Sequence, residues 1–232
     1  MTARLLIVTG LNAEARLAAG SGCVVIAGGG DRAGLARRLA QQDPNALRAV
    51  ISFGLAGALD PSLAVGDLVL GNAVVSVPEM RSDDARVRAL TEMLARRLTE
   101  GHVAFRRGSI AGVDQPASSM MAKSELARGT GAIAVDMESH IAAAYAVRHG
   151  LPFAALRVIS DGAGHEIPPV AASAMRPDGS VDVLGIIGGL VRAPGQLPAL
   201  IATARHAAVA FSVLRRVSGL LDLGGGLLGL DL

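Results

Sequence analysis

Short apolar runs of strand length recur along this chain with helical patterns between them, and this alternation restricts the fold more than any other property of the sequence. The runs lie at residues 5–8, 23–27, 49–53, 67–70, 108–113, 132–135 and 153–159. Helical spacing of apolar residues separates several of them, over 33–42, 84–99 and 139–149. Runs that are predominantly apolar, rather than alternating with polar residues, belong to strands covered on both faces. The predicted class is therefore α/β, with helices on both sides of a central sheet. Residues 1–221 are read as a single domain. Its part from 166 to 221 differs in character. Turn material, Ile167-Pro168-Pro169 and Arg176-Pro177-Asp178-Gly179, leads into helical spacing from about 196 to 221, accompanied by Arg205, His206, Arg215 and Arg216. Residues 222–232 are glycine- and leucine-rich and read as a low-complexity tail.

Composition narrows the function. Hydrophobic residues make up 51% of the chain and aromatics only 2%, so the core has to be aliphatic. A net charge of +2, no Trp and one Tyr leave neither an electrostatic footprint nor stacking platforms for nucleic acid. Lys123 is the only lysine, every other basic residue being Arg. Cys23 is the only cysteine, so an intramolecular disulfide and a thiolate metal cluster are both excluded, which fits a reducing cytoplasm. His102, His140, His149, His165 and His206 lack ligand spacing, so no metal is expected. The first apolar run is too short for a signal-peptide core. No 18 apolar residues run uninterrupted, so no membrane-spanning helix is expected.

The chemistry lies just past the strand ends, where α/β sheets bind their ligands. Glu14 follows the first run, Glu138 the sixth and Asp161 the seventh; Gly54 and Asp114 occupy similar positions. Breaking an N-glycosidic bond puts positive charge on the sugar and negative charge on the base. An enzyme can protonate the base, stabilise the sugar cation and activate a nucleophile on the opposite face. Three acids suffice for those tasks. Each has a plainer reading as well: Asp161 as a turn or helix cap, Asp136 and Glu138 as acids favoured at a helix N-terminus, Glu14 as a first-turn acid. Gly28-Gly29-Gly30-Asp31-Arg32-Ala33 formally fits a dinucleotide fingerprint. It follows the second strand rather than the first, and the next strand ends in Ser52-Phe53-Gly54 with no acid for a ribose. A turn near the substrate is expected there, and no cofactor.

The string Ala134-Val135-Asp136-Met137-Glu138-Ser139, the pair Ser160-Asp161 and the position of Glu14 together resemble the purine nucleoside phosphorylase and methylthioadenosine/S-adenosylhomocysteine nucleosidase family. The resemblance covers roughly residues 1–165 and implies a three-layer α/β/α fold with a central mixed sheet. It implies Asp161 as the acid that protonates purine N7, with Ser160 beside it. It implies Glu138 as the acceptor of ribose hydroxyl bonds, Met137 as packing on the sugar, and Glu14 as the base that activates water. Gly54-Leu55-Ala56-Gly57 is similar to a substrate-binding turn of that family, with Gly54, Ala56 and Gly57 in their places. Leu55 stands where a hydroxyl usually sits, which weakens phosphate binding, though the turn's amides could still bind it. Asp114 is expected to play a supporting role, and His140 to lie on the surface.

Within the family, the Val-Asp-Met-Glu-Ser string and the segment Pro194–Leu200 are similar to the hopanoid-associated phosphorylase group. That likeness implies release of adenine from adenosylhopane, a 5′-modified lipid nucleoside, with water as nucleophile. A phosphate-dependent phosphorylase on the same substrate, a methylthioadenosine/S-adenosylhomocysteine nucleosidase and a non-catalytic nucleoside-binding module are the alternatives. A homodimer is implied. The basic helix from about 196 to 221 is expected to pack on the domain or a partner subunit, or to meet an apolar substrate or the inner face of the membrane.

Overall fold

The computed structural model describes residues 4–75 and 85–225. In chain order the elements are β1 (Arg4–Thr9), α1 (Asn12–Ala18), β2 (Cys23–Ala27), α2 (Arg32–Ala40), β3 (Leu47–Ala58), β4 (Leu68–Val74), α3 (Ala85–Glu100), β5 (Arg106–Gly112) and α4 (Met120–Thr130). They continue with β6 (Ala134–Asp136), α5 (Ser139–Arg148), β7 (Phe153–Asp161), α6 (Pro169–Ala172), α7 (Val183–Arg192) and α8 (Leu197–Leu221). Residue 84, the expected start of α3, lies outside the described residues.

The strands form one mixed sheet in the order β2-β1-β3-β6-β5-β4-β7, and β7 pairs back onto β3. Five strands, β3, β6, β5, β4 and β7, therefore close into a ring, with β1 and β2 extending from it. The β3/β6 and β4/β7 pairs are antiparallel and the others parallel. Uniformly apolar strands follow from this layering. Successive side chains of a strand point to opposite faces. Leu6 and Val8 join Leu35, Leu39, Ala142, Ala146 and Phe153 in a core beneath α2 and α5. Leu5 and Ile7 face the other way, onto Leu90, Leu94, Leu98, Leu214, Val217 and Leu221 of α3 and α8.

Three expectations are corrected. Residues 54–57 are not a turn after a strand; they lie inside β3, which continues through Ala58. The pairing with β7 explains this, because Gly54, Leu55, Ala56 and Gly57 face Arg157, Val158, Ile159 and Asp161, with a bulge between Ala56 and Gly57. The stretch Pro194–Leu221 is, by length and composition alone, apolar enough to cross a membrane, since its scattered arginines interrupt the run without making it polar on average. Its C-terminal half nevertheless belongs to the domain, with Ala210, Leu214, Val217 and Leu221 fully buried. The supposed tail begins in order: Leu223 is buried, and Gly22 N–H donates to Gly224 O at 3.0 Å. Residues 226–232 lie outside the described residues. The first half of α8 and all of α7 are different. α7 buries no residue, and Val183, Leu184, Ile187, Val191, Leu197 and Ile201 are exposed.

Candidate active site

Glu14 sits in the first turn of α1, where a carboxylate is favoured by the free amides and the helix dipole. Gly10 N–H and Leu11 N–H both donate to its Oε2 at 2.8 Å, and Leu55 N–H of β3 donates to its Oε1 at 2.9 Å. The amides of two separate segments are thus filled by one side-chain anion. Gly54 makes room for it. Its φ is +154°, and a Cβ there would lie 2.7 Å from the Glu14 carboxylate and 2.8 Å from Arg157 Nη1.

Glu138 stands two residues past the end of β6, at the N-cap position of α5, where its side chain makes no capping bond. It is 4% exposed, and its Oε1 has no hydrogen-bond partner among the described residues. Burial pushes its pKa up to about 8. The Arg157 guanidinium works against that rise, while Asp136 and Glu14 add to it. Burial also raises the pKa of Glu14, opposed by Arg157 and by the amides of Leu11, Leu55 and Gly10. Both groups bind protons more tightly folded than unfolded. Their stabilising contribution is complete below the ordinary value of 4.5 and is lost as pH rises above it, for Glu138 toward about 8. The melting temperature of the free protein is expected to fall between pH 5 and pH 8. A midpoint that is flat or rising over that interval would count against these burial effects.

Arg157 was not among the residues singled out in the sequence, yet it organises this wall. It is fully buried on β7 and pairs with Asp136 Oδ2, lies 3.8 Å from Glu138 Oε2, and donates to Ser52 Oγ and to Leu55 O. Asp136 also accepts from Ser139 N–H at 3.1 Å and from the Ser139 hydroxyl. Asp136 also lines the cavity beside Met137 and Glu138. The available signal was a lone arginine inside the apolar run 153–159, because a charge in a strand covered on both faces needs partners.

Asp161, at the end of β7, faces the same cavity. Ser160 Oγ donates to its Oδ1 at 2.8 Å, and Lys123 Nζ pairs with its Oδ2. Gly57 keeps that corner open, since a Cβ there would lie 2.9 Å from Asp161 Oδ2. Lys123 was likewise missed. It is 1% exposed, in the first turns of α4, and its remaining bonds go to Gly162 O at 2.8 Å and His165 O at 2.9 Å.

The cavity has a volume of about 160 Å³. It brings together Glu14, Glu138 and Asp161 with Met137, Ser160, Leu55, Ala56 and Gly57, and it gains Ile167 and Met175 from the divergent part of the chain. Gly54 does not line it and acts from behind. A second hollow of about 490 Å³ adjoins it, sharing Pro116, Met137, Ile167 and Met175 and reaching Gly29, Gly30, Pro169 and Ala172. The glycine turn after β2 therefore borders the mouth. His140 is a correction: it is buried rather than on the surface. Gly112 leaves space for it, and its Nε2 bonds Asp114 Oδ1 at 2.9 Å. Asp114 is half-exposed, also pairs with Arg32, and does not reach the cavity. No group of three or more His, Cys, Asp or Glu side chains is placed to hold a metal ion among the described residues.

A mixed sheet closed into a ring, with buried acids gathered at its strand ends, defines a phosphorylase-type α/β protein. The chain belongs to the phosphorylase superfamily, whose sequence profile matches residues 33–176. It is accordingly an enzyme of the nucleosidase or nucleoside phosphorylase kind. Among solved structures, the Helicobacter pylori 5′-methylthioadenosine/S-adenosylhomocysteine nucleosidase is similar at 17% identity and a TM-score of 0.61, over 94% of this chain and 98% of that one. Helicobacter pylori futalosine hydrolase matches at 16% identity and a TM-score of 0.61, over 94% and 98%. A methylthioadenosine nucleosidase, so assigned provisionally, from Weissella paramesenteroides matches at 19% identity and a TM-score of 0.58, over 92% and 97%. At these identities the likeness is one of fold. A search of curated proteins gives no match.

Proposed function

We propose that this enzyme hydrolyses the N-glycosidic bond of a 5′-modified adenosine, with adenosylhopane as its substrate and adenine as the released base. In this reading Asp161 protonates the base at N7, Glu138 accepts the ribose hydroxyls through its unpartnered Oε1, Met137 packs on the sugar, and Glu14 positions water. The observation that favours water over phosphate is the bonding of Glu14. Its carboxylate already takes the Gly10, Leu11 and Leu55 amides, the donors a phosphate would need, and Leu55 offers no hydroxyl. An incoming phosphate would have to displace a buried anion from its own amides.

The reading of a large apolar 5′ group is supported by the second hollow and by what surrounds it. Pro169 and Ala172 of α6 line that hollow. α6 packs against α7 and α8, whose exposed apolar residues continue the surface. From Val183 to Leu221 the chain has no acid and includes Arg192, Arg205, Arg215 and Arg216. Apolar helices that carry arginines and no acid, with Asp182 at the N-cap of α7 already paired with Arg176, suit an anionic lipid surface, from which a lipid nucleoside could be drawn. The test is adenine release from adenosylhopane in anionic vesicles and from soluble methylthioadenosine, each with and without phosphate. Phosphate-independent release, faster from the lipid nucleoside, is expected. Strict phosphate dependence would overturn the assignment of Glu14. Faster turnover of methylthioadenosine would overturn the lipid substrate.

A further inference from the structure

We propose that Lys123 supplies, through Asp161, the proton delivered to the leaving base. The inference rests on the N-glycosidic reading above. Lys123 does not line the cavity and cannot touch a substrate there; Asp161 stands between them. Both oxygens of Asp161 already accept, Oδ1 from the Ser160 hydroxyl and Oδ2 from the Lys123 ammonium. In that arrangement the carboxylate has no proton of its own to give, so the proton has to come from a neighbour. An ammonium gives one up far more readily than a serine hydroxyl.

The setting suits such a transfer. Lys123 has its three donors fixed, on Asp161 Oδ2, Gly162 O and His165 O. A buried ion pair is a poor way to gain stability, because an apolar pair of similar volume does as well or better. When a nucleoside fills the cavity it closes Asp161 off from solvent, so a proton passing to the base is replaced from the groups bonded to Asp161, of which Lys123 is the only ammonium. The steps then balance. The Lys123 N–H bond breaks as an Asp161 Oδ2–H bond forms, and that bond breaks as the proton joins N7 of the purine. The C1′–N9 bond breaks, its electron pair staying with the base. Water oxygen bonds C1′ and Glu14 takes the water proton. After the base leaves, solvent entering the cavity returns a proton to Lys123 by way of Asp161 and removes one from Glu14. Lys123 is thus a positioning residue that acts only through Asp161.

The experiment compares Lys123→Arg and Lys123→Met with the wild type on two leaving groups. Adenine from methylthioadenosine or adenosylhopane needs a proton; 4-nitrophenolate from 4-nitrophenyl β-D-ribofuranoside does not. Arginine keeps a cation against Asp161 but does not give up its proton. Adenine release is expected to fall about 100-fold or more in both variants, as a fall in kcat. Nitrophenolate release should stay near the wild-type rate. A purely structural Lys123 predicts that both leaving groups slow together in the methionine variant and that arginine restores both. Wild-type kcat for adenine in the arginine variant, or equal loss for the two leaving groups, overturns the proposal. If the wild type cleaves only the purine, the adenine rates of the two variants decide alone. If the wild type releases no adenine from any of these nucleosides, the N-glycosidic reading fails and takes this inference with it.

Discussion

Replacement of Arg157 by methionine is expected to destabilise the protein by about 3–5 kcal/mol, the cost of breaking a buried ion pair by removing one partner. Arg157 is fully buried and pairs with Asp136, whose side chain is 1% exposed, so its loss would leave a carboxylate charge poorly solvated. The same guanidinium offsets the burial of Glu14 and Glu138. Without it three carboxyl groups would face one another inside the domain. The loss should be partly recovered in an Arg157→Met/Asp136→Asn double variant, where the orphaned charge is gone. Chemical denaturation of the two variants at neutral pH measures both effects. A single variant as stable as the wild type would mean that Asp136 finds another partner or a proton.

How much of this was legible beforehand depends on what each residue's neighbours are. The strands could be read because both faces of the sheet are covered, which leaves Leu5, Leu6, Ile7 and Val8 apolar without alternation. The length of β3 could not. Gly54 and Gly57 look like turn residues, but their missing side chains serve Glu14, Arg157 and Asp161, which come from distant segments. Glu14, Glu138 and Asp161 were legible because each follows a strand, and the fold brings strand ends together. Their cationic partners were less so. Arg157 and Lys123 stand out only as single charges, and nothing local says which acid each one meets. His140 was misplaced because a histidine in a helix is buried or exposed according to what faces it, here Gly112 and Asp114. The contribution of Ile167 and Met175 to the cavity arises in a turn-rich segment with no periodicity to follow.

Asp161→Asn and Glu14→Gln are expected to abolish adenine release by different routes, and the leaving group separates them. Removal of a positioned acid or base lowers such rates by about 100- to 10,000-fold. In Asp161→Asn the amide can still bond Ser160 and keep its place at the end of β7, so nucleoside binding should persist. Only proton delivery is lost. A 4-nitrophenyl riboside, whose leaving group needs no proton, should then be cleaved nearly as well as by the wild type. Glu14→Gln removes the group that takes the proton from water, a step common to both substrates, so both should slow together. Glutamine would also set its own N–H₂ group against the donors of Gly10, Leu11 or Leu55, since an amide has one acceptor oxygen where the carboxylate has two. Phosphate becomes the informative addition at this point. Glu14→Ala empties the amides altogether, and phosphate is an anion of the kind they bind. Adenine release by Glu14→Ala is expected to be slow in plain buffer and to rise with phosphate, yielding a sugar 1-phosphate. If the alanine variant hydrolyses at the wild-type rate without phosphate, Glu14 is not the base, and its bonds to those amides serve only to join α1 to β3.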